Sequence, residues 1–233
     1  MPDWPRVLPI LAALALPPSL GGCKPSDSAQ AHAAPAPIRA PLTIAPVVDS
    51  DPWVIAFLTE VSIARPPGVD GRLEGRTGHE GLRHPEPIIE AETREALANA
   101  LANYERAHPR TPELRPVWQP DPFGPNERVK WRLYFVDTAR GITLDDQARA
   151  VLEPGDPAPS VHLRLGESQR QQLAALTAAQ IDRRVAIVID DEVLMLPVVM
   201  EPILDGTIAL VTSPHLDPKI SAPALLARLT GNI

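Results

Sequence analysis

The spacing of apolar positions predicts regular elements most clearly in the second half of the chain. Val161, Leu163 and Leu165 alternate with polar residues, which is the period of a half-buried strand. From Ser168 onward, apolar residues recur at helical spacing and predict a helix. Continuous apolar runs rich in β-branched residues predict further strands at Trp131–Asp137, Arg184–Ile189, Glu192–Met195 and Thr207–Thr212.

One more helix is predicted between these strands. Thr143 is followed three residues later by Asp146, which is the spacing of an N-terminal capping box. This pair predicts a short helix that runs through Leu152.

The first half of the chain contains weaker signals. The apolar run Trp53–Ile63 predicts a strand, and the Gly-, Arg- and Pro-rich stretch 66–87 predicts a long loop. Apolar residues at helical spacing then predict a helix from Ile89 to His108. Six prolines between residues 109 and 125 oppose regular structure, so we expect a hinge and a subdomain boundary there.

The predicted order of elements favours one fold class. Adjacent strands at the end of the chain indicate an α+β fold with a largely antiparallel sheet. We expect two helices packed on one face of this sheet, and a smaller strand and helix part before it.

The start of the chain has the parts of a secretory signal. A ten-residue apolar run, Val7–Leu16, is too short to span a membrane and is followed by Leu20-Gly21-Gly22-Cys23. This tetrapeptide resembles the lipobox of bacterial lipoproteins, and the resemblance implies cleavage before Cys23 and acylation of its thiol. The protein would then be held at the membrane through lipidated Cys23.

The resulting domain prediction has four parts. Residues 1–22 are a signal peptide, 23–48 a Pro- and Ala-rich tether, 49–125 an N-terminal subdomain and 126–233 the main domain. The tether is predicted because its composition cannot bury enough apolar surface to offset the entropy of ordering.

Charge and composition exclude some partners. The formal net charge is −7, which argues against nucleic acid, since that partner requires a basic face. Cys23 is the only cysteine, so no disulfide can form within the chain.

The candidate catalytic and metal groups do not have the spacing that chemistry requires. His79-Glu80 and His84 are five apart rather than four, among glycines, which favours a solvated loop over a zinc site. Asp190-Asp191-Glu192 fits a hairpin tip as well as it fits a carboxylate cluster. We therefore predict no metal, no cofactor and no enzymatic activity, with a hydrolase as the minority hypothesis.

A spaced pattern over residues 130–233 resembles a known family. Its strongest part is Val185–Asp190, then Pro197-Val198-Val199, Glu201-Pro202-Ile203, Asp205-Gly206 and Ala209–Thr212. This pattern resembles the head subdomain of the first periplasmic domain of SecD, the auxiliary protein of the Sec translocon. The helix ending in Leu176-Thr177 and the segment Ala224–Gly231 resemble that family's flanking helices.

The chain also departs from the family pattern. Asp191 stands where the family usually has glycine, so either the turn is reshaped or Asp191 adopts a left-handed conformation. Ser213 stands where glycine often follows the last strand. The membrane helices and the intramembrane carboxylate of SecD have no counterpart, so this protein is not expected to drive proton-coupled export by itself.

The resemblance implies a non-enzymatic envelope protein that binds exported or unfolded polypeptides or components of the Sec machinery. The candidate surface is the strand Glu192–Glu201, because Pro197 disfavours a central place in a sheet. Its candidate residues are Val193, Pro197, Val198, Val199 and Glu201.

Two further expectations follow. The alternative function is a structural or assembly lipoprotein that binds a folded envelope partner, and the outer membrane is the favoured location of the anchor.

We also expect the three closing strands to form one sheet backed by the two preceding helices.

Overall fold

Four helices and twelve strands form within the residues that this computed structural model describes, which are 34–77, 83–121, 130–155, 159–211 and 221–231. The helices are α1 (Pro52–Ala64), α2 (Arg94–Ala107), α3 (Glu167–Ala178) and α4 (Ala222–Thr230). The strands are β1 (Ala36–Pro37), β2 (Leu42–Pro46), β3 (Val69–Thr77), β4 (Arg83–Ala91), β5 (Leu114–Asp121), β6 (Lys130–Asp137), β7 (Ile142–Leu144), β8 (Arg149–Glu153), β9 (Ser160–Arg164), β10 (Val185–Ile189), β11 (Glu192–Met195) and β12 (Thr207–Val211).

The strands form two sheets. One has the order β1-β8-β9-β12 and the other β3-β4-β6-β5-β11-β10-β2-β7. In the described residues the only parallel pairing of named strands is between β5 and β11. The α+β class with largely antiparallel sheets is therefore confirmed.

The eight-stranded sheet closes on itself in its middle. Beyond β2, Val47 pairs with Val136 of β6, and the Val48 N–H donates to the Phe135 carbonyl at 3.0 Å. Strands β6, β5, β11, β10 and β2 thus form a closed ring. The ring is filled by Tyr134 together with small and β-branched side chains: Ala45, Val47, Val117, Val136, Ala186, Val188 and Val193.

Two larger cores lie outside this ring. Helices α1 and α2 cover β3, β4, β6 and β5, with Phe57, Leu97 and Leu133 buried between them. The four-stranded sheet, α3 and α4 enclose a second core with the outer face of β2 and β10. Leu42 of β2 and Leu163 of β9 meet in that core.

Several local predictions for the first half are wrong. Residues 53–63 are helical because Asp51 caps the helix through its Oδ1, which accepts the Trp53 N–H at 2.8 Å, and Pro52 starts it. The predicted loop 66–87 is largely the β3–β4 hairpin. The helix predicted from Ile89 begins only at Arg94, because Ile89 belongs to β4.

The tether and the boundary near residue 125 also differ from the prediction. Residues 36–37 and 42–46 form strands, and Leu42, Ile44 and Ala45 are buried, so the tether prediction is wrong for this stretch. Strand β5 crosses the expected hinge and pairs with β6 over eight residue pairs. Residues 32–233 form one compact unit.

Two predictions for the second half fail as well. The predicted helix 143–152 is replaced by β7 and β8, joined by a turn in which the Asp145 carboxylate accepts the Gln147 N–H at 2.9 Å. The three closing strands do not share one sheet, since β10 and β11 pair together while β12 pairs with β9. The other predicted strands, α3 and α4 are confirmed within two or three residues at their ends.

Candidate functional site

The predicted binding strand Glu192–Glu201 is not an edge. Strand β11 pairs with β10 on one side and with Trp118 of β5 on the other. Val193 is buried inside the strand ring. The inference that Pro197 marks an edge is therefore wrong.

The residues after β11 are also engaged by backbone bonds. The Pro197 carbonyl accepts the Val185 N–H at 3.0 Å, and the Val199 N–H donates to the Arg183 carbonyl at 2.9 Å. Val199 is buried and Val198 is half-buried, whereas Glu201 is exposed. The end of the predicted segment is its most exposed part.

An exposed apolar patch begins where this segment ends. It consists of Ile181, Met200 and Leu204, whose exposed fractions are 48%, 56% and 69%. Ile181 and Met200 lie on neighbouring segments, because Ile181 pairs with Val199, and Leu204 follows Met200 on the same loop. We call these three residues the apolar patch.

The loop that carries the apolar patch is fastened along α3. The Ile203 N–H donates to Thr177 Oγ1 at 2.9 Å, and that hydroxyl donates to the Leu173 carbonyl at 2.8 Å. At the other end of the loop, Gly206 has φ +72°, and a Cβ there would lie 2.8 Å from Arg170 Cγ. Met200 and Leu204 are therefore exposed on a loop whose two ends are fixed.

Strand β12 follows this loop and has a free edge. It pairs with β9 over five residues, and no strand pairs with its other side among the residues that the structure describes. The Leu165 N–H donates to the Gly206 carbonyl at 3.0 Å, so the backbone groups of Ile208 and Leu210 face β9 by the antiparallel alternation. The N–H and carbonyl of Ala209 consequently point to the free edge.

The neighbouring N–H supports this assignment. Thr207, two residues before Ala209, donates its N–H to the Asp205 carboxylate at 3.0 Å rather than to β9. Ala209 is exposed, while Ile208 and Leu210 are buried. Among the described residues, the edge thus offers unpaired backbone groups in an uncharged strand that follows the loop carrying Met200 and Leu204.

The other long edge, β3, has features that oppose strand addition. Its Arg72 forms ion pairs with Asp70 at 3.0 Å and with Glu74 at 2.7 Å. The Ser62 hydroxyl donates to the Gly71 carbonyl at 2.8 Å. Charged side chains on an edge strand protect it from pairing with another chain.

The four-stranded sheet brings together Glu153, Ser160 and His162, a trio that sequence spacing did not predict. His162 Nε2 lies 3.0 Å from Ser160 Oγ, and His162 Nδ1 lies 3.4 Å from Glu153 Oε2. This is the order of groups in a serine hydrolase relay. The trio is half-buried on the sheet face opposite Val161 and Leu163, and antiparallel pairing of β8 with β9 brings Glu153 to Ser160.

The carboxylates at the β10–β11 turn are neutralised by arginines. Asp191 pairs with Arg94, and Arg228 lies 3.2 Å from Glu192 and 3.5 Å from Asp190. The residue with a left-handed backbone is Asp190, with φ +58°, so the turn differs from the expectation for Asp191.

The described part of the chain contains no candidate metal site. Within the described ranges, no group of three or more His, Cys, Asp or Glu side chains could hold a metal ion. The predicted pair His79-Glu80 lies outside those ranges, as do Ser213, Cys23, the signal peptide and the first part of the tether. None of the helices in the described part is long and apolar enough to cross a membrane.

One family model matches the chain. It is described as SecDF, P1 head subdomain, and it covers residues 130–215. These residues contain β6 to β12 and α3, and therefore both the apolar patch and the free edge of β12. No curated protein matches the sequence.

Two solved structures are similar at low identity. One is a structure of the membrane component SecDF that enhances protein export, with 15% identity, a TM-score of 0.29, and coverage of 82% of this chain and 94% of that chain. The other is SecDF in a super-membrane-facing form, with 15% identity, a TM-score of 0.28, and coverage of 88% of this chain and 30% of that chain.

Proposed function

We propose that this protein binds extended segments of secreted or unfolded polypeptide in the bacterial envelope, through the free edge of β12. The observation that carries the proposal is this uncharged edge, which directly follows the loop that exposes Met200 and Leu204. A chain added as a strand would use the backbone groups of Ala209. Its apolar side chains would contact Met200 and Leu204.

The family match supports the same function. Residues 130–215 match the family model of the SecDF P1 head subdomain. We propose that the present chain contributes to export or to the handling of exported chains, with components of the Sec machinery as further partners.

The membrane attachment is proposed from the sequence. Cys23 follows a short apolar run and small residues, and its acylation would anchor the protein at the envelope membrane, with the outer membrane favoured. Mass spectrometry of the protein purified from its native membrane tests this, because an acylated N-terminal Cys23 is expected. An unmodified chain that begins at Met1 would contradict it.

We propose binding rather than catalysis as the function. The trio of Ser160, His162 and Glu153 is tested by labelling with a fluorophosphonate, which reacts with activated serines. We expect no labelling at Ser160. Labelling that is lost in Ser160→Ala would instead identify a hydrolase.

Photocrosslinking in living cells tests the proposed surface. A photoreactive residue at Ala209 is expected to capture exported chains or Sec components, whereas one at Leu73 on the charged β3 edge is the matched exposed control. Equal capture at both positions, or none at Ala209, would reject the surface. Capture of one stoichiometric folded protein that is insensitive to a block of secretion would support an assembly role instead.

A further inference from the structure

A polar cleft lies between the start of α1, the β3–β4 hairpin and the turn from α3 to β10. Its volume is about 280 Å³. Arginine, glutamine and histidine side chains line it together with two aspartates: Asp49, Asp51, Arg76, His84, Arg140, Gln180 and Arg183. This cleft shares none of these residues with the free edge of β12 or the apolar patch.

The cationic side chains of the cleft have hydrogen-bond capacity to spare. Arg183 is exposed, and its side chain has no hydrogen bond or ion pair with any residue in the described ranges. Arg76 donates one bond, from Nη2 to the Asp182 carbonyl at 2.6 Å. Arg140 donates from Nε to Asp137 at 2.6 Å. A guanidinium has five N–H donors, so most of these donors lack an acceptor among the described residues.

Two further side chains that line the cleft have a polar group without a hydrogen-bond partner among the described residues. Gln180 is only 3% exposed, and its side-chain amide makes no hydrogen bond within the described part of the chain. His84 Nε2 is buried and also lacks a hydrogen-bond partner there. The Gln180 amide is not fully enclosed, unlike His84 Nε2, so a molecule in the cleft can reach the amide and accept its N–H bonds.

The acidic groups of the cleft already have partners. Both carboxylate oxygens of Asp49 accept bonds from Arg184, at 2.6 and 3.1 Å. The Asp51 carboxylate accepts the Trp53 N–H at the start of α1. Unused donors therefore outnumber unused acceptors, and a complementary ligand is rich in acceptors and negatively charged.

We propose that this cleft binds a carboxylate group, with Arg183 and Gln180 as its binding residues. The planar donors of a guanidinium and an amide match the two oxygens of a carboxylate. Asp49 and Asp51 in the wall disfavour a phosphate dianion, because like charges at short range repel. Arg76 and Arg140 add positive charge at the sides of the cleft.

The carboxylate has two chemical sources that experiment can separate. One is a free small acid, and the other is an acidic side chain of a bound polypeptide, since Ile181 of the apolar patch is the chain neighbour of Gln180. Calorimetric titration of the full chain with succinate tests the first source. A capped peptide with one central aspartate among apolar residues tests the second. Succinamide and the matched asparagine peptide are the neutral controls.

At the Gln180 side-chain amide, we expect saturable binding of succinate, of the aspartate peptide or of both, and at least tenfold weaker binding by either neutral control. Tighter binding of the peptide assigns the site to polypeptide, and tighter binding of succinate assigns it to a small acid. The Gln180 side-chain amide resonance is expected to shift on binding.

The matched variants are Arg183→Gln and Arg164→Gln, both at exposed arginines. Arg183→Gln should weaken binding at least tenfold, and Arg164→Gln, on the four-stranded sheet, should leave it unchanged. The proposal is overturned if neither acid shifts the Gln180 side-chain amide, if the neutral controls shift it equally, or if both variants weaken this binding alike. Because the apolar residues of either peptide can also bind at β12, the peptide arms are read at the Gln180 amide, and their failure there would leave the polypeptide edge to its own test.

Discussion

Thr177 links helix α3 to the loop that carries Met200 and Leu204. Its hydroxyl donates to the Leu173 carbonyl and accepts the Ile203 N–H, so a single side chain fixes the loop to the helix. The same Thr177 belongs to the pattern that resembles the SecD family. The link between helix and loop is a physical reason for a threonine at this position of the pattern.

We predict that Thr177→Val loosens the apolar patch. Valine has the shape of threonine but cannot accept the Ile203 N–H, so the free energy of unfolding should fall by roughly 1 kcal/mol. The free energy of polypeptide binding should fall by more than the free energy of unfolding. Thr177→Ser, which keeps the hydroxyl, is the control for both measurements, by chemical denaturation and by peptide titration.

Glu90 is the most enclosed carboxylate of the β3–β4–β6 face. Its side chain is 7% exposed and lies 3.0 Å from Arg72, 2.8 Å from Lys130 and 3.6 Å from Arg132. Burial alone would raise the pKa of Glu90, but the hydrogen bonds from Lys130 and Arg72 outweigh it and lower the pKa below its ordinary value.

We predict that Glu90→Gln lowers the free energy of unfolding by about 1–3 kcal/mol near pH 7, because neighbouring cations lose their counter-charge. Glu74→Gln is the matched control, since Glu74 pairs with the same Arg72 but is 54% exposed. Its effect should stay below about 1 kcal/mol. Similar losses in both variants, measured by urea unfolding, would contradict a special role for Glu90.

The pH dependence of this loss has a defined sign. The pKa of Glu90 is depressed in the folded protein, so its contribution is complete above the unfolded value of about 4.3 and disappears as the pH falls through the folded pKa. The stability difference between the native protein and Glu90→Gln should therefore shrink in acid. A difference that grows below pH 4 would be inconsistent with this assignment.

Strand β5 shows why proline counts misled the sequence-based prediction. The Trp118 N–H donates to the Asp191 carbonyl, so it points away from β6. Pro116 and Pro120 are two residues before and after Trp118, so their nitrogens point the same way. Neither proline removes a bond to β6. The spacing of the prolines, rather than their number, therefore determines whether this segment can form a strand.

Buried segments of the first half gave ambiguous patterns for a related reason. The run 53–63 is apolar nearly all round, so periodicity alone does not separate helix from strand. Residues 42–46 looked like a tether because their apolar residues were averaged with the Pro- and Ala-rich stretch before them. Long-range pairing of β2 with β10 then decides their conformation.

The segments with clear periods were predicted well, among them β9, α3 and the β10–β11 hairpin. The candidate surface was not, because edge position depends on which strands meet across the whole sheet. Glu192–Glu201 gains its second neighbour from β5, whose strand character the sequence concealed. The free edge of β12 is a property of pairing that single-sequence patterns do not contain.

A substitution at Ala209 tests strand addition at this edge. Ala209→Pro removes an N–H that points away from β9, so the fold should lose no more than roughly 1 kcal/mol, as expected for proline at an edge position. Polypeptide affinity should nevertheless fall at least tenfold, because the donor for an added strand is gone. Ala209→Ser retains the donor and should bind normally in the same titration.

At the scale of the whole molecule, the eight-stranded sheet joins both halves of the chain. The ring of strands needs β2 from the first fifty residues and β5 from before residue 125. The segment that matches the SecDF head model is therefore completed by residues outside the match.

We predict that residues 126–233 do not fold alone, contrary to the domain boundary expected from the prolines. Without β2 and β5, both neighbours of the β10–β11 hairpin are lost and the ring core opens to water. Circular dichroism of this fragment should show a largely unfolded chain, while residues 34–233 should unfold in one cooperative transition. A folded fragment with native-like near-ultraviolet signals would refute the shared core.

Amide hydrogen exchange at Ala209 tests the central claim most directly. An apolar, capped peptide without acidic residues would be titrated into the full chain, so that the polar cleft is not involved, and exchange would be followed by NMR. We predict at least tenfold slower exchange of the Ala209 N–H with bound peptide, and little change at Ile208 and Leu210, which already face β9. Peptide binding with unchanged exchange at Ala209, or with protection at Leu73 of β3 instead, would contradict the account.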